Sequence, residues 1–253
     1  MKIKMHRLVS ILVFIFTEGT ISAQVFDLKQ WRVLPVAEIE KLAENINAQT
    51  TSPCTVIKYT MLSFQDQMST IPADAELGET RIFNGSSWGK FMNSESYRDG
   101  KLSIVVNHTE KKVVISESGV LPEKDPVSKW SDVLYTNSEV YSRHTKEGKN
   151  ILVKYHSHPD VLVTELIVDK EDRIKKSIVF LNRRIEVETE SGIKNYQPRL
   201  EVIFDRIEED SQCNQSKYSL RSIINFTESG EVVLNENLNN YTVVDTRPRA
   251  INK

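Results

Sequence analysis

The chain is poor in cysteine, proline and glycine, with two, eight and nine of each among 253 residues. Two cysteines are too few for a disulfide-rich miniature scaffold, and so little glycine and proline excludes a collagen-like chain. An excess of one charge is also lacking, because 33 basic residues stand against 35 acidic ones. No basic run is long enough to follow a row of phosphates. A globular protein that does not bind nucleic acid is therefore expected.

Long hydrophobic runs are missing except at the amino terminus. There, basic residues precede an apolar run over 8–16 that only one serine interrupts, and Ala23 supplies a small residue at a cleavage position. We expect a signal peptide over 1–23, a periplasmic or secreted location, and a single β-rich domain over 24–253. Nine helical residues span about 14 Å, short of a ~30 Å hydrocarbon core, so a retained membrane helix is the weaker alternative.

The two cysteines, Cys54 and Cys213, are an even number in a chain expected to reach an oxidising compartment. This context favours one disulfide bond between them. Closing so long a loop contributes roughly 5 kcal/mol at most in the chain-entropy model. The alternative is a pair of buried, unpaired thiols.

Two segments have helical periodicity. Pro35 stands at a helix start, and Ile39, Leu42 and Ile46 recur at the spacing of one buried stripe. A second, shorter helix is predicted over about 126–135, where four apolar residues share a face.

The rest of the chain alternates apolar and polar residues, which predicts strands. Turn pairs such as Asp99-Gly100 follow one another too closely for crossover helices, so neighbouring strands should be antiparallel. The strands fall into two blocks, about 53–117 and 138–207, and alternation continues through Tyr218 to Phe226. The expected fold is α+β and mainly β: a single strongly curved antiparallel sheet, or half-barrel, with one or two helices on its concave face.

One short motif suggests a metal. His156-Ser157-His158-Pro159 followed by Asp169 resembles the zinc site of the MPN-type isopeptidases, which implies two histidines and an aspartate on the metal. The family serine three residues before the aspartate is replaced by Leu166. The plainer interpretation is a solvated strand end that Pro159 closes. We therefore expect no metal site, with His156, His158 and Asp169 as the runner-up.

A second motif, Gly85-Ser86-Ser87-Trp88-Gly89, matches the string of a serine-hydrolase nucleophile elbow. That elbow requires a strand before the serine and a helix after it, whereas this segment is predicted to be a hairpin. The match is interpreted as accidental, and no catalytic residue is expected.

The order of elements over about 34–207 is an amphipathic helix, a β-meander, a helical piece and a second meander. It resembles the periplasmic lipoprotein-carrier (LolA-like) superfamily, whose members fold a curved sheet around helices to enclose acyl chains. The resemblance implies a binding protein without a cofactor, carrying a lipid or lipoprotein acyl chain in an apolar cavity. The candidate ligand-binding residues are Tyr59, Met61, Trp88, Phe91, Met92, Leu102, Ile104 and Val106.

Two alternatives to the lipid-carrier interpretation stay open at this point. The eight apolar residues could simply fill an ordinary core, since alternation is first of all how a sheet buries a face. The protein would then be an envelope interaction or scaffold protein without a ligand. A metal-dependent hydrolase is the third interpretation, and it requires His156, His158 and a carboxylate to converge on one ion.

Overall fold

The computed structural model describes most of the chain between its two termini. The predicted signal peptide, the predicted helix at 126–135 and Cys213 lie outside the described residues, so these three expectations stay predictions. The described ranges are 28–48, 54–83, 86–117, 138–189, 192–211, 215–227 and 231–247.

Strands dominate these residues, and one α-helix accompanies them. The helix is α1 (Val36–Ala48). The strands are β1 (Arg32–Val33), β2 (Cys54–Phe64), β3 (Asp74–Phe83), β4 (Ser86–Phe91), β5 (Ser94–Arg98), β6 (Leu102–Asn107), β7 (Lys112–Glu117), β8 (Ser138–His144), β9 (Gly148–Tyr155), β10 (Val161–Asp169), β11 (Ile174–Leu181), β12 (Ile185–Thr189), β13 (Gly192–Tyr196), β14 (Arg199–Glu209), β15 (Ile224–Phe226), β16 (Val232–Leu234) and β17 (Thr242–Asp245).

Thirteen strands form one sheet in the order β1-β8-β9-β10-β11-β14-β2-β3-β4-β5-β6-β7-β17. The two predicted blocks are present as β2–β7 and β8–β14, and β14 joins them by pairing with β2. Neighbours are antiparallel as predicted, except that β17 runs parallel to β7. Two further hairpins, β12–β13 and β15–β16, form small sheets of their own.

The expected strong curvature is wrong. Among the described residues the sheet is not closed, since β1 and β17 are its end strands, and it is not strongly curled. A mainly β fold with a large, mostly antiparallel sheet is confirmed. The number and position of the helices are met only in part, with one α-helix among the described residues.

Helix α1 begins where the sequence predicts. The carbonyl of Pro35 accepts hydrogen bonds from the backbone N–H groups of Glu38 and Ile39, at 3.0 and 3.2 Å, which starts the first turn. Ile39 and Leu42 are 5% and 6% exposed, so the predicted stripe is the buried one. Glu38, in the first turn of α1, forms an ion pair with Arg32, which precedes the helix. This contact fixes how the chain enters the first turn.

The segment after residue 214 differs from the predicted continuous strand pattern. Between residues 215 and 226, 3₁₀ turns form at Gln215–Tyr218 and Leu220–Ser222, and the strand is confined to Ile224–Phe226. The hydroxyls of Ser219 and Ser222 donate to backbone carbonyls three residues earlier, at 3.0 and 2.7 Å. Such local bonds compete with strand pairing, which alternation alone does not register.

The register defines two faces of the large sheet. Face A carries Trp88, Tyr97, Ile104 and Ile115, which lie opposite one another on β4, β5, β6 and β7. Face B is the opposite side, and Tyr59 of β2 lies on it because side chains alternate along each strand.

Segments before β1 and after β14 cover different parts of these faces. Described residues of 218–227 and 231–241 pack on face A of β3–β7 and complete a core around Ile104, Val106, Val113 and Ile115, all fully buried. Helix α1 instead packs on face B of β8–β10. The residues before β1 cover face A of that same half, where Leu28 and Trp31 meet the Leu152 cluster. The amino-terminal segment therefore wraps around one edge of the sheet.

Candidate functional site

The eight candidate ligand-binding residues do not line one cavity, because the register divides them between the two faces. Trp88, Ile104 and Val106 lie on face A with 8%, 0% and 0% exposure, inside the core that residues 218–241 complete. Leu102, half-buried, lies on the same face at the start of β6, opposite Glu117. Trp88, Ile104 and Val106 are thus packed by the chain itself.

A hydrogen-bonded group borders that core. Glu95 accepts bonds from the Tyr97 hydroxyl at 2.5 Å and from the Trp88 indole N–H at 3.3 Å. Burial is the largest influence on the pKa of Glu95 and raises it, but these donors prevail and the pKa is lowered. Burial, and then the bond to Glu95, raise the pKa of Tyr97. Both groups therefore hold fixed charge states at neutral pH and serve the packing of this core.

Tyr59, Met61 and Phe91 lie on face B, half-buried rather than enclosed. The Tyr59 ring lies flat across Gly78 of β3 and stacks on Phe91 of β4, with centroids 6.4 Å apart and ring planes 17° from parallel. A Cβ at position 78 would stand 2.2 Å from the ring, so only glycine permits this arrangement. Gly78 thus allows the Tyr59 and Phe91 rings to form a flat aromatic surface.

Burial raises the pKa of the Tyr59 hydroxyl, and a hydrogen bond with Thr80 opposes the rise only in part. Tyr59 is therefore neutral at physiological pH and adds no charge to this surface. Met92, the eighth candidate, follows Phe91 in the β4–β5 turn with φ 52° and 38% exposure. Met92 lies at the end of β4, next to the Tyr59 and Phe91 rings, because Phe91 precedes it in the sequence.

Strands β14 and β11 extend this apolar surface. Val202 and Phe204 lie directly opposite Met61 and Tyr59, and Leu200 lies opposite Val179 on β11. The sequence pattern marks Leu200, Val202 and Phe204 as one face of a strand, but it does not say which strand they face. We call the whole surface the apolar stripe: Tyr59, Met61, Phe91, Val179, Leu200, Val202 and Phe204.

The apolar stripe crosses five adjacent strands, from β11 through β14, β2 and β3 to β4. Four intervals of about 4.8 Å make it about 19 Å long across the strands. On β10, next to β11, Leu166 already belongs to the cluster under α1. The stripe therefore runs from the covered half of face B toward its open half.

Face A of the same strands carries charged side chains among apolar ones. Lys176 and Arg199 both pair with Glu201, at 2.5 and 2.9 Å. Leu62 and Ile178 lie on either side of Glu201 on the neighbouring strands. A cavity of about 340 Å³ on this side of the sheet is bordered mostly by charged side chains, among them Lys58, Arg81 and Asp210. At the centre of the sheet, face B carries the larger apolar surface without paired charges.

The runner-up metal residues are not brought together. His156 and His158 follow the end of β9 and are exposed, while Asp169 ends β10. The eight steps of β10 from Val161 to Asp169 span about 26 Å. Within the described ranges, no group of three or more histidine, cysteine and acidic side chains could hold a metal ion. The runner-up arrangement, in which His156, His158 and Asp169 would hold one ion, is therefore not what the described residues form.

Both ends of that motif have structural roles instead. The Nδ1 atom of His158 accepts backbone N–H bonds from Asp160 and Val161, at 3.2 and 3.0 Å, and closes the β9–β10 turn. Burial raises the pKa of Asp169, but bonds from the Arg173 backbone and guanidinium, among others, lower it to about 2. Asp169 is thereby the anchor of the β10–β11 turn.

Ser87 lies within β4, paired on both sides, with Ile82 of β3 and Arg98 of β5. The strand continues through it, so the described residues around Ser87 do not form the strand–turn–helix of a nucleophile elbow. The accidental interpretation of that motif fits this placement.

Cys54 begins β2 and is 2% exposed. Its carbonyl accepts a bond at 3.0 Å from the backbone N–H of Asp210, three residues before Cys213. The chain after β14 therefore passes close to Cys54, which is compatible with the bridge that remains predicted.

No protein-family model and no curated protein matches this chain. An uncharacterized conserved protein from Thermus thermophilus is similar over 81% of this chain and 98% of its own, at 10% identity and TM-score 0.44. A LolA superfamily protein from Nitrosomonas europaea is similar over 74% of this chain and 99% of its own, at 10% identity and TM-score 0.35. A domain described as an outer membrane lipoprotein-sorting protein, from Vibrio parahaemolyticus, has 8% identity and TM-score 0.32, covering 73% of this chain and 97% of its own.

Two of these three structures carry names from the superfamily that the sequence resembles. Scores below 0.5 decide nothing about ligand or activity. None of the helices in the described ranges combines the length and the apolar character that crossing a membrane requires.

Proposed function

We propose that this chain is an exported binding protein that holds an apolar ligand, such as a lipid or lipoprotein acyl chain, along the apolar stripe of face B. The observation that carries the proposal is the contrast between the two faces of β2 and β14. Met61, Val202 and Phe204 leave apolar surface half-exposed on one side, while on the other side Lys58 and Glu201 place charges among apolar residues such as Leu62. Such an asymmetry is expected of a surface that is covered by something apolar.

The dimensions of the stripe favour an extended hydrocarbon chain. Its length of about 19 Å across the strands matches roughly fifteen methylene steps of about 1.25 Å, and its width of one to three side chains on most of its strands suits a thin ligand. Each methylene removed from water contributes about 0.8 kcal/mol. An acyl chain can therefore bind without any hydrogen-bonding partner in the stripe.

Export and the Cys54–Cys213 bridge belong to the same proposal. The basic and apolar order of residues 1–23 supports a cleaved signal peptide, and an oxidising compartment would preserve the bridge. The bridge would link the start of β2 to the beginning of the carboxyl-terminal segment that packs on face A of β3–β7.

The proposal is tested by fatty-acid uptake of the purified full chain, followed by fluorescence and by native mass spectrometry. We expect saturable uptake that rises with chain length from eight to about sixteen carbons, since each added methylene buries more surface. The double substitution Met61→Ser with Phe204→Ser removes two large side chains from the centre of the stripe. We expect it to weaken uptake about tenfold or more.

Val105→Ser is the matched control. Val105 is 37% exposed on face B, but it lies on β6, four strands away from β2. It should leave uptake unchanged within about twofold. Equal loss in the control and the double variant, or a wild-type chain that takes up no fatty acid, would contradict the proposal and favour a scaffold protein without a ligand.

A further inference from the structure

The two ends of the large sheet differ in their loops. The loops Asp99–Lys101, Thr145–Glu147 and Lys170–Arg173 join strands at one end, and they contain no large apolar side chain. The β2–β3 and β4–β5 loops lie at the opposite end, because Phe64 and Phe91 finish their strands there.

Large apolar side chains point into solvent at that opposite end. Met68 and Ile71 in the β2–β3 loop are 76% and 77% exposed, and Leu77 near the start of β3 is 75% exposed. Met92 lies at the same end of the sheet as Leu77, because it follows Phe91, which pairs with Gly78 next to Leu77. Leu77 itself lies on face A, opposite Thr60. We call Met68, Ile71, Leu77 and Met92 the apolar rim. Each of them carries a cost in water that only a partner would remove.

The loop that carries Met68 and Ile71 is held in place from below. The Arg199 guanidinium donates to the carbonyls of Gln67 and Ser69, the latter at 3.1 Å, and its centre lies 4.0 Å from the Phe64 ring. Gln67 itself is 7% exposed.

Two local bonds complete the loop. Asp66 accepts the backbone N–H of Met68 at 2.9 Å, and the Ser69 hydroxyl donates to the Ile71 carbonyl at 2.8 Å. The loop backbone is therefore tied at four points while its two largest side chains project outward. Docking this loop on a partner therefore costs little backbone entropy, since the backbone is already fixed.

We infer that the apolar rim docks on a lipid bilayer surface. The rim side chains project from loops and strand ends instead of lining a groove, and this shape enters a fluid layer more readily than it encloses a peptide. Neighbouring charges are of both signs, with Asp66, Asp74 and Glu76 near the β2–β3 loop and Lys90 near Met92. Attraction to the bilayer is thus apolar and does not depend on anionic lipid.

The rim is continuous with the proposed binding surface, because Met92 directly follows Phe91 of the apolar stripe. A bilayer at the rim would place lipid tails beside one end of the stripe. The inference extends the proposed function by naming the partner from which an apolar ligand could come. Its readout, bilayer association, is nevertheless separate from ligand uptake.

The test is flotation of the full chain with phosphatidylcholine vesicles. We expect the wild type to float with the vesicles, and to do so equally well in about 0.5 M NaCl, because apolar contact is not screened by salt. The double variant Met68→Ser with Ile71→Ser should reduce partitioning about tenfold or more. Its melting temperature should match that of the wild type, since both side chains are exposed.

Val33→Ser is the matched control, because Val33 is 70% exposed but lies on β1 beside Tyr141, away from the rim. It should float like the wild type. Failure of the wild type to float, loss of flotation in salt, or equal loss in the control would each overturn the inference. The rim variant should keep its uptake of soluble fatty acid, and the Met61→Ser, Phe204→Ser variant should keep its flotation, so the two proposals can fail separately.

Discussion

The two halves of the large sheet are covered in different ways. In β3–β7, face A is packed under the C-terminal segment, and face B carries Phe91 and Val105 among small or polar residues such as Ser96 and Ser103. In β8–β10 both faces are covered, face B by α1 and face A by the residues before β1. The strands record this difference: burial alternates along β6, whereas four consecutive residues of β9, 150–153, are buried.

The difference shows what an apolar sequence pattern means in an open sheet. Alternation marks a strand that has one wet face, and a continuous apolar run marks a strand covered on both sides. The central strands β2 and β14 fit neither description. Their face B side chains are apolar but only half-buried, which is why the proposed ligand site is placed there.

The largest effect expected concerns the core of the β3–β7 half. Ile104→Ala should lower the free energy of unfolding by about 4 kcal/mol, because Ile104 is fully buried and its neighbours cannot all collapse into the space. Val105→Ala on the opposite face should cost about 0.5 kcal/mol or less. Urea denaturation of both variants measures the contrast, and similar losses would mean that face B of β6 is also covered.

The predicted disulfide should come next. Cys213→Ser removes the link between the start of β2 and the root of the segment on face A, and we expect a loss of about 3 kcal/mol. Adding reductant to the wild type should lower its stability by a similar amount, and should leave the variant unchanged. Peptide mapping without reductant identifies the bridge directly, and two free thiols in the folded protein would refute it.

A smaller loss is expected under α1. Leu42→Ala should cost about 2 kcal/mol, at the low end for such a change, because the cluster below the helix has fewer buried members than the core around Ile104. Val36→Ala, at a 48% exposed position of the same helix, is the control and should be nearly neutral. If Leu42→Ala were neutral too, the coverage of face B by α1 would be in doubt.

The smallest effect concerns the turn at the end of β10. The folded pKa of Asp169, about 2, lies below its ordinary value of 3.8, so the ionised carboxylate stabilises the fold above about pH 4. That contribution is lost as the pH falls from about 4 toward 2. Asp169→Asn should cost about 1 kcal/mol at pH 7, after allowance for solvent screening, and the difference from wild type should vanish near pH 2. Urea denaturation across this pH range tests it, and a constant difference would contradict the assignment.

Local sequence signals located many elements correctly. Pro35 and the Ile39–Leu42 spacing predicted α1, and the turn at Asp99-Gly100 separates β5 from β6 as expected. The signals failed where distant contacts or side-chain bonds intervene. Alternation through Tyr218 and Leu220 predicted a strand, but serine hydroxyls and the demands of the core under face A turned the segment into 3₁₀ turns.

The candidate site was predictable only in part for the same reason. Tyr59, Met61 and Phe91 were named from the sequence, but so were Trp88 and Ile104, which lie on the other face. Periodicity within one strand says which residues share a side. It does not say which side of a neighbouring strand they join, because that depends on register.

The sequence by itself determined that the chain is mainly β, that its strands form two antiparallel blocks, and where its first helix begins, since these follow from periodicity and turn chemistry over a few residues. Only the tertiary structure decided that β14 joins the two blocks through β2, and that the carboxyl-terminal segment covers face A of β3–β7 while the amino-terminal segment covers both faces of β8–β10. Those outcomes depend on pairings between residues more than a hundred positions apart, such as Tyr59 with Phe204, and no local pattern encodes them.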